Sequence, residues 1–289
     1  MPPTKPKNLA VIGDPIAHSL SPQIQNAALK QAGLKLKYQA VRVGLLSLKS
    51  FVKGAEKSYL GFNVTIPHKV AILPLMDRLA FEAKAIGAVN TVLIKDGQLV
   101  GFNTDGAGYL MSLQNDAGFR PRGKHVTLLG AGGAARAIAM ALGLDRVKSL
   151  SIANRTLDHA KDLVRDLKKR LPQLAINACP LDGKDFEAAL KRTDLLVNTT
   201  SVGLGGTRFP DFPWFSLKNR AVVSDIVYRP LHTHFLKTAK KAGHAIHSGE
   251  GMLIYQGALA FEIWTGVKPD TALMRRVMLK ELKKIEESS

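Results

Sequence analysis

Short runs of β-branched and apolar residues alternate along this chain with stretches of helical periodicity, the pattern of an α/β protein with parallel strands. In the first hundred residues, 9–12, 38–43, 62–65 and 88–94 read as strands. Apolar positions at helical spacing fill 22–31, 46–57 and 69–85. Asp96-Gly97, set between two apolar runs, is a hairpin signal and predicts an antiparallel edge in this half. A second alternation begins after Asp105. It predicts a helix over 107–117, a turn at Pro121 and a strand over 125–129 that leads through a glycine-rich turn into a small-residue helix at 134–142. Further strands are expected at 150–153, 174–177, 195–198 and 222–225, and closing helices at 252–264 and 272–284.

Length and composition narrow the class. A chain of 289 residues is long for one core and comfortable for two domains. With 46% hydrophobic and 22% charged residues it falls among soluble globular proteins. The apolar stretch 137–144 is far short of the roughly 20 residues a membrane helix needs. Met1–Lys7 is polar and proline-rich, so no secretory signal is expected and a cytoplasmic location is the default. The single cysteine, Cys179, lying after a strand, excludes an internal disulfide and a cysteine-clustered zinc site.

A net charge of +18, from 41 Lys and Arg against 23 Asp and Glu, raises the question of a nucleic-acid partner. The basic residues are scattered, without aromatic interleaving or a basic tail. The dense runs Lys168-Lys169-Arg170 and Lys283-Lys284 lie on polar faces of helical patterns, where solvated charge is ordinary. The expectation is therefore no nucleic acid and no membrane partner. A positive field also suits an anionic substrate and an anionic cofactor.

Residues 130–136 read GAGGAAR, after a strand and before a helix. Gly130, Ala131, Gly132, Gly133 and Ala134 form the kind of tight turn that lets a pyrophosphate approach the backbone, with unpaired helix N–H groups beyond it. Ala135 stands where a third glycine often sits. The plainer account is an ordinary strand-to-helix turn. At the end of the next strand, where NAD enzymes place an acid, the chain reads Asn154-Arg155-Thr156. A guanidinium with two neutral hydrogen-bonding residues suits a 2′-phosphate, so NADP is expected rather than NAD. A surface arginine beside a Thr156 helix cap would look the same in sequence.

Polar residues cluster in the first half. The strings are GDPIAHSLSP (13–22), GFNVTIPHK (61–69), GAVNT (87–91) and GFNTDG (101–106), each expected near the carboxyl end of a strand, where ligands gather in open α/β sheets. Singly they have dull explanations: Ser21 before Pro22 makes a good helix N-cap, and Asn90 can cap a turn. In order, and joined by GAGGAAR, NRT (154–156), NTTSVG (198–203) and GMLIYQGA (251–258), they resemble the shikimate dehydrogenase family over nearly the whole chain.

That resemblance implies an N-terminal α/β substrate domain, residues 1–105 completed by helices in 249–289, around a Rossmann-like NADP domain at 106–248, with the substrate in the cleft between them. It implies carboxylate contacts from Ser19 and Ser21, with Tyr228 nearby, and hydroxyl contacts from Asn63, Thr65, Asn90, Asp105 and Gln256. Lys69 and Asp105 match the catalytic pair. Thr199, Ile226 and Gly249 match cofactor positions; Ile226 replaces a methionine frequent there, and His159 stands where a second basic residue is frequent. The implied reaction is reduction of 3-dehydroshikimate to shikimate by NADPH, a step towards chorismate and aromatic amino acids.

The residues make their own case for the pair. Hydride removal from a carbinol needs a titratable group to take the hydroxyl proton. Lys69 opens a helix whose dipole disfavours an ammonium, while the carboxylate of Asp105 favours it. His18, His68, His232, His234, His244 and His247 lack metal-ligand spacing, and no metal is expected. A quinate/shikimate dehydrogenase using NAD(P) is the near rival. A tRNA-binding glutamyl-tRNA reductase would need a nucleophilic cysteine in the first domain, which Cys179 is not. Whether the chain is a monomer or a homodimer is not written in the sequence.

Overall fold

The structure, a computed structural model, describes residues 8–287; the reading of Met1–Lys7 lies outside the described residues. In chain order it runs β1 (Asn8–Gly13), α1 (Ser21–Gln31), β2 (Tyr38–Arg42), α2 (Leu48–Ala55), β3 (Tyr59–Val64), α3 (His68–Ala71), β4 (Arg78–Leu79), α4 (Phe81–Ile86), β5 (Thr91–Lys95) and β6 (Gln98–Phe102). It continues with α5 (Asp105–Ala117), β7 (His125–Leu129), α6 (Gly133–Leu144), β8 (Ser149–Ala153), α7 (Leu157–Arg170), β9 (Ala175–Cys179) and α8 (Gly183–Leu190). The last elements are β10 (Leu195–Asn198), β11 (Val222–Asp225), α9 (His234–Lys241), β12 (Ala245–His247), α10 (Glu250–Thr265) and α11 (Thr271–Glu287). The chain divides into two compact units, Met1–Thr104 with Ile254–Ser289, and Asp105–Leu253.

The first unit is built on a six-stranded sheet of order β2-β1-β3-β5-β6-β4. β2, β1 and β3 are parallel, while β5 runs against β3 and β6 against β5. The β5–β6 turn holds Asp96 at φ 51° and Gly97 at φ 75°, the left-handed pair that a tight hairpin requires. This reversal decides where the polar motifs fall. Thr91, the first residue of β5, pairs with Asn63 near the end of β3 and with Phe102 at the end of β6. Asn90-Thr91 is thus at the start of its strand, yet on the edge where β1, β3 and β6 end.

The continuous helix expected over 69–85 does not form. α3 is a single turn, a 3-10 turn follows at Leu73–Leu75, and β4 precedes α4. Pro74 removes a helical N–H and crowds the preceding turn. Beyond it, Asp77 N–H donates to Leu99 O at 3.0 Å and its carboxylate accepts from Leu99 N at 2.7 Å. Those bonds hold the segment against β6 as a strand. Nor does Ser21 cap α1: Leu20 is the N-cap residue, and Pro22 lies in the first turn.

The second unit carries a wholly parallel sheet of order β12-β11-β10-β7-β8-β9. Read from its far edge this is third, second, first, fourth, fifth, sixth, the doubly wound Rossmann order, with its switch point between β7 and β10. Its central strands are buried on both faces; all four residues of β10 are buried. β12 adds an edge strand that periodicity did not reveal, and Cys179 ends β9 instead of following it.

One glycine of the first unit is fixed by packing. A Cβ on Gly61 would collide with the Trp264 indole nitrogen and with Val92 O, which that nitrogen bonds at 2.9 Å. Gly61→Ala should therefore lower stability by about 1–3 kcal/mol, the range for overpacked cores. Gly54→Ala, in α2 with nothing within 4 Å of the added methyl, should raise it by about 0.5–1 kcal/mol. Denaturant melts of both variants test this; equal effects of one sign would contradict it.

Candidate active site

The shared strand edge of the first unit collects amides and hydroxyls. Asn63, 7% exposed, donates from Nδ2 to Asn90 O (3.1 Å) and Thr91 Oγ1 (3.0 Å), and its Oδ1 accepts from the Tyr38 hydroxyl (2.7 Å). Asn90, 2% exposed, accepts at Oδ1 from Thr91 Oγ1 (2.9 Å) and Thr104 N (2.8 Å). Its Nδ2 donates to Thr104 Oγ1 at 2.9 Å and reaches Gln256 Oε1 of α10 at 3.5 Å. Burial explains the density of these bonds, because an unpaired amide costs about 1–3 kcal/mol there.

Around these amides lie the other expected residues. Ser19 Oγ accepts from Ser21 N at 3.3 Å, and both serines are half-buried. Thr65 follows β3, its N–H on Ile12 O (2.9 Å). Lys69, half-buried, is held through its carbonyl, which accepts from Val89 N at 2.8 Å. Since α3 is one turn long, the helix-dipole argument for Lys69 has no macrodipole to rest on. His68 is structural: it is fully buried, with Nε2 2.6 Å from Val43 O. The first unit thus brings Ser19, Ser21, Asn63, Thr65, Lys69, Asn90 and Gln256 to one sheet edge, and Thr104, fixed by Asn90, leads straight into Asp105.

Asp105, 5% exposed, is the first residue of α5 in the second unit. Tyr228 also belongs to that unit, half-buried, and burial raises its phenol above the usual value against the nearby Arg229 charge.

In the second unit β7 ends in the glycine turn. Gly130 has φ 107°, and a Cβ there would lie 2.9 Å from Thr200 Cγ2 and 3.0 Å from Thr199 Oγ1. Thr199 in turn donates its hydroxyl to Leu129 O at 2.7 Å. Gly132 and Gly133 are exposed, with open space where a Cβ would stand. α6 starts there with no acidic residue in its first turn, so its N–H groups suit a pyrophosphate. At the end of β8, Asn154 Nδ2 donates to Thr156 O (2.7 Å), and Arg155 is exposed, without an ion pair among the described residues. Thr156 is the N-cap residue of α7, but its hydroxyl makes no capping bond. This donor set, an exposed guanidinium with neutral neighbours, fits an NADP adenosine half. Gly249 packs on Ile226: a Cβ would collide with the Ile226 carbonyl. Among the described residues no group of three or more His, Cys, Asp or Glu is arranged around a metal position.

Three family descriptions match the chain: "Shikimate dehydrogenase substrate binding domain" over 11–92, "Shikimate / quinate 5-dehydrogenase" over 114–203 and "Shikimate 5'-dehydrogenase C-terminal domain" over 249–279. The NADP(+) shikimate dehydrogenase of Geobacter sp. (strain M21) is 44% identical over 279 residues, 96% of each chain. The chain belongs to the shikimate dehydrogenase family. It is an oxidoreductase of that family, with its α/β first unit and Rossmann-like second unit. A crystal structure of a shikimate dehydrogenase with NADP+ matches with a TM-score of 0.89 and 39% identity, covering 96% of both chains. The Thermus thermophilus enzyme, solved with NADP(H) and shikimate, matches with a TM-score of 0.85 and 38% identity, over 95% of this chain and 99% of that one.

Two groups that brace the motif strings are not marked by the motifs themselves. Tyr38 reads as a strand residue, and only its hydroxyl on Asn63 marks it out. The other is a buried acid–amide pair that ties down the NTTSVG string. Asp225, fully buried, accepts from Asn198 Nδ2 (2.9 Å), Val227 N (3.0 Å) and Thr233 Oγ1 (2.7 Å). Asn198 also accepts from Thr200 N (3.1 Å) and donates to Val202 O (3.0 Å).

Burial pushes the Asp225 carboxyl up to about 6, although its three hydrogen bonds pull the other way. A folded value above the unfolded one means that the fold favours the neutral acid. This contribution to stability is complete below about pH 4 and is lost as pH rises through about 6. Asp225→Asn keeps the acceptor for Asn198 and Val227 and reverses only the Thr233 bond. Relative to that variant, the wild type should lose up to about 3 kcal/mol between pH 4 and pH 8. Melts across that range would show it; a pH-independent difference would contradict it.

Proposed function

We propose that this chain catalyses the reversible reduction of 3-dehydroshikimate to shikimate with NADPH, in the cytoplasm and without a nucleic-acid partner. The observation that carries the reading is the single sheet edge that gathers Ser19, Ser21, Asn63, Thr65, Lys69, Asn90 and Gln256, in a chain whose relatives are NADP(+) shikimate dehydrogenases. The first unit, taken as 1–105 with 249–289, is assigned the substrate, and 106–248 the NADP. Ser19 and Ser21 donate to the carboxylate, with Tyr228 as a further donor. Asn63, Thr65, Asn90, Asp105 and Gln256 read the ring hydroxyls. Gly130 to Ala134 take the pyrophosphate and Asn154 to Thr156 the phosphorylated ribose, while Thr199, Ile226 and Gly249 shape the nicotinamide end.

When bound, NADPH supplies the hydride. Lys69 does the proton work: as an ammonium it gives a proton to the ketone oxygen during reduction, and as an amine it takes that proton back during oxidation. Asp105 holds the ring hydroxyl beside that oxygen and balances the lysine charge.

The direct experiment is reduction of NADP and of NAD, measured with shikimate and with quinate. Shikimate with NADP should give the largest kcat/KM. Arg155→Ala should cut the preference for NADP about tenfold or more, as expected for a charge-assisted hydrogen bond. Equal turnover of both acids would instead place the chain with quinate/shikimate dehydrogenases.

Lys69→Ala should lower kcat by roughly 10² to 10⁴ while KM for shikimate changes far less. Asp105→Asn should lower kcat and also raise KM, and the double variant should lose less than the product of the two. Near-normal kcat in Lys69→Ala from pH 6 to pH 10 would remove the lysine from the mechanism.

A further inference from the structure

Tyr38 opens β2 at 1% exposure and is fixed from three directions. Its ring meets Trp264, centroids 6.0 Å apart and planes tilted by 49°, and the Trp264 N–H is anchored on Val92 O. Its backbone is clamped by one side chain: Tyr38 N donates to Asn26 Oδ1 (2.9 Å), and Asn26 Nδ2 donates to Tyr38 O (2.8 Å). Asn26 also bonds Pro22 O at 2.7 Å, so the same amide ties Tyr38 to the turn that carries Ser21. The phenol hydroxyl lies 2.7 Å from Asn63 Oδ1.

The direction of each bond follows from counting protons. Both hydrogens of Asn63 Nδ2 are taken, by Asn90 O and Thr91 Oγ1, so its oxygen must accept from Tyr38. A phenol has one proton. That proton is committed to Asn63. Its burial raises the phenol well above the ordinary tyrosine value, which keeps the donor protonated.

We propose that Tyr38 is a positioning residue of the substrate site. Its hydroxyl is the donor that holds the buried amide oxygen of Asn63 in place. This rests on the reading that Asn63 contacts the substrate. Tyr38 touches neither substrate nor cofactor; it sets how a contacting group points. Phenylalanine at this position keeps the ring on Trp264 but leaves the buried Asn63 Oδ1 without its donor. The amide then loses one of the three bonds that orient it, so the cost appears in substrate binding.

The test is steady-state kinetics of Tyr38→Phe beside Ser21→Ala, Asn63→Ala and Tyr38→Phe/Asn63→Ala. Tyr38→Phe should raise KM for shikimate about tenfold, the consequence of one buried acceptor losing its donor. Its kcat and its KM for NADP should stay within about twofold of wild type, since the proton relay is untouched. The double variant should lose less than the product of its singles, because the residues act in one chain. Tyr59→Phe is the control for a merely structural loss. Its phenol accepts from Gln39 Nε2 at 2.9 Å in the same sheet, and its removal should lower Tm without moving KM for shikimate. If Ser21→Ala and Asn63→Ala raise KM while Tyr38→Phe does not, the role of Tyr38 is overturned and the site reading stands. If all three leave KM unchanged, the site reading itself fails and takes this inference with it. A Tyr38→Phe that moves both KM values and kcat together with Tm marks a structural residue and also overturns it.

Discussion

A buried amide must find partners for both its hydrogens and its oxygen, and in the first unit two such groups, Asn63 and Asn90, sit at the edge where the strands end. Each bond left unmade there would cost about 1–3 kcal/mol, a large part of the margin by which a domain is stable. The topology around them meets that demand. Because β5 runs against β3, Thr91 is brought beside Asn63, and because β6 returns along β5, Thr104 is brought beside Asn90. The amides then need no water to be satisfied within the protein. They point in directions fixed by the protein alone.

The second unit solves a similar problem with a charge. Asn198 holds the loop after β10 through Thr200 and Val202, and it is itself held by Asp225. Thr233 serves the same carboxylate while capping α9 through Leu236 N, so one acid secures two loops. An amide pair does this without titrating. A buried acid does it while becoming sensitive to pH, which ties the second unit's loops to proton concentration and leaves the amides of the first unit indifferent to it.

Much of this was legible from residue order. The parallel strands of the second unit followed from apolar runs interleaved with helical spacing, and the hairpin from Asp96-Gly97, because each depends on local chemistry. The apolar spacing over 69–85 runs straight through Pro74, and only the bonds of Asp77 to Leu99 make a strand there. What periodicity conceals is any residue whose importance depends on distant partners. Tyr38 is followed by Asn63 only after 25 positions and by Trp264 after more than two hundred. Gly61 and Gly249 are each hemmed in by a distant neighbour, Trp264 and the Ile226 backbone, that no string reveals. The motif strings located the edge of the sheet correctly, but not which members touch a ligand and which hold those members still.

Lys69 shows the difference most clearly. A long helix would have lent it a dipole and a rigid axis, and α3 offers one turn. Precision must then come from the bonds on either side. Next to it, His68 is buried with its ring on Val43 O, which fastens the turn to the end of β2. Its own carbonyl takes the N–H of Val89, the residue before Asn90. A single backbone bond therefore sets the lysine relative to the amide assigned to the substrate hydroxyls. Any shift of the Ala88–Asn90 segment would displace Lys69 and Asn90 as one, preserving their spacing. For a reaction in which a proton and a hydride must arrive at adjacent atoms, that spacing matters more than the rigidity of either element.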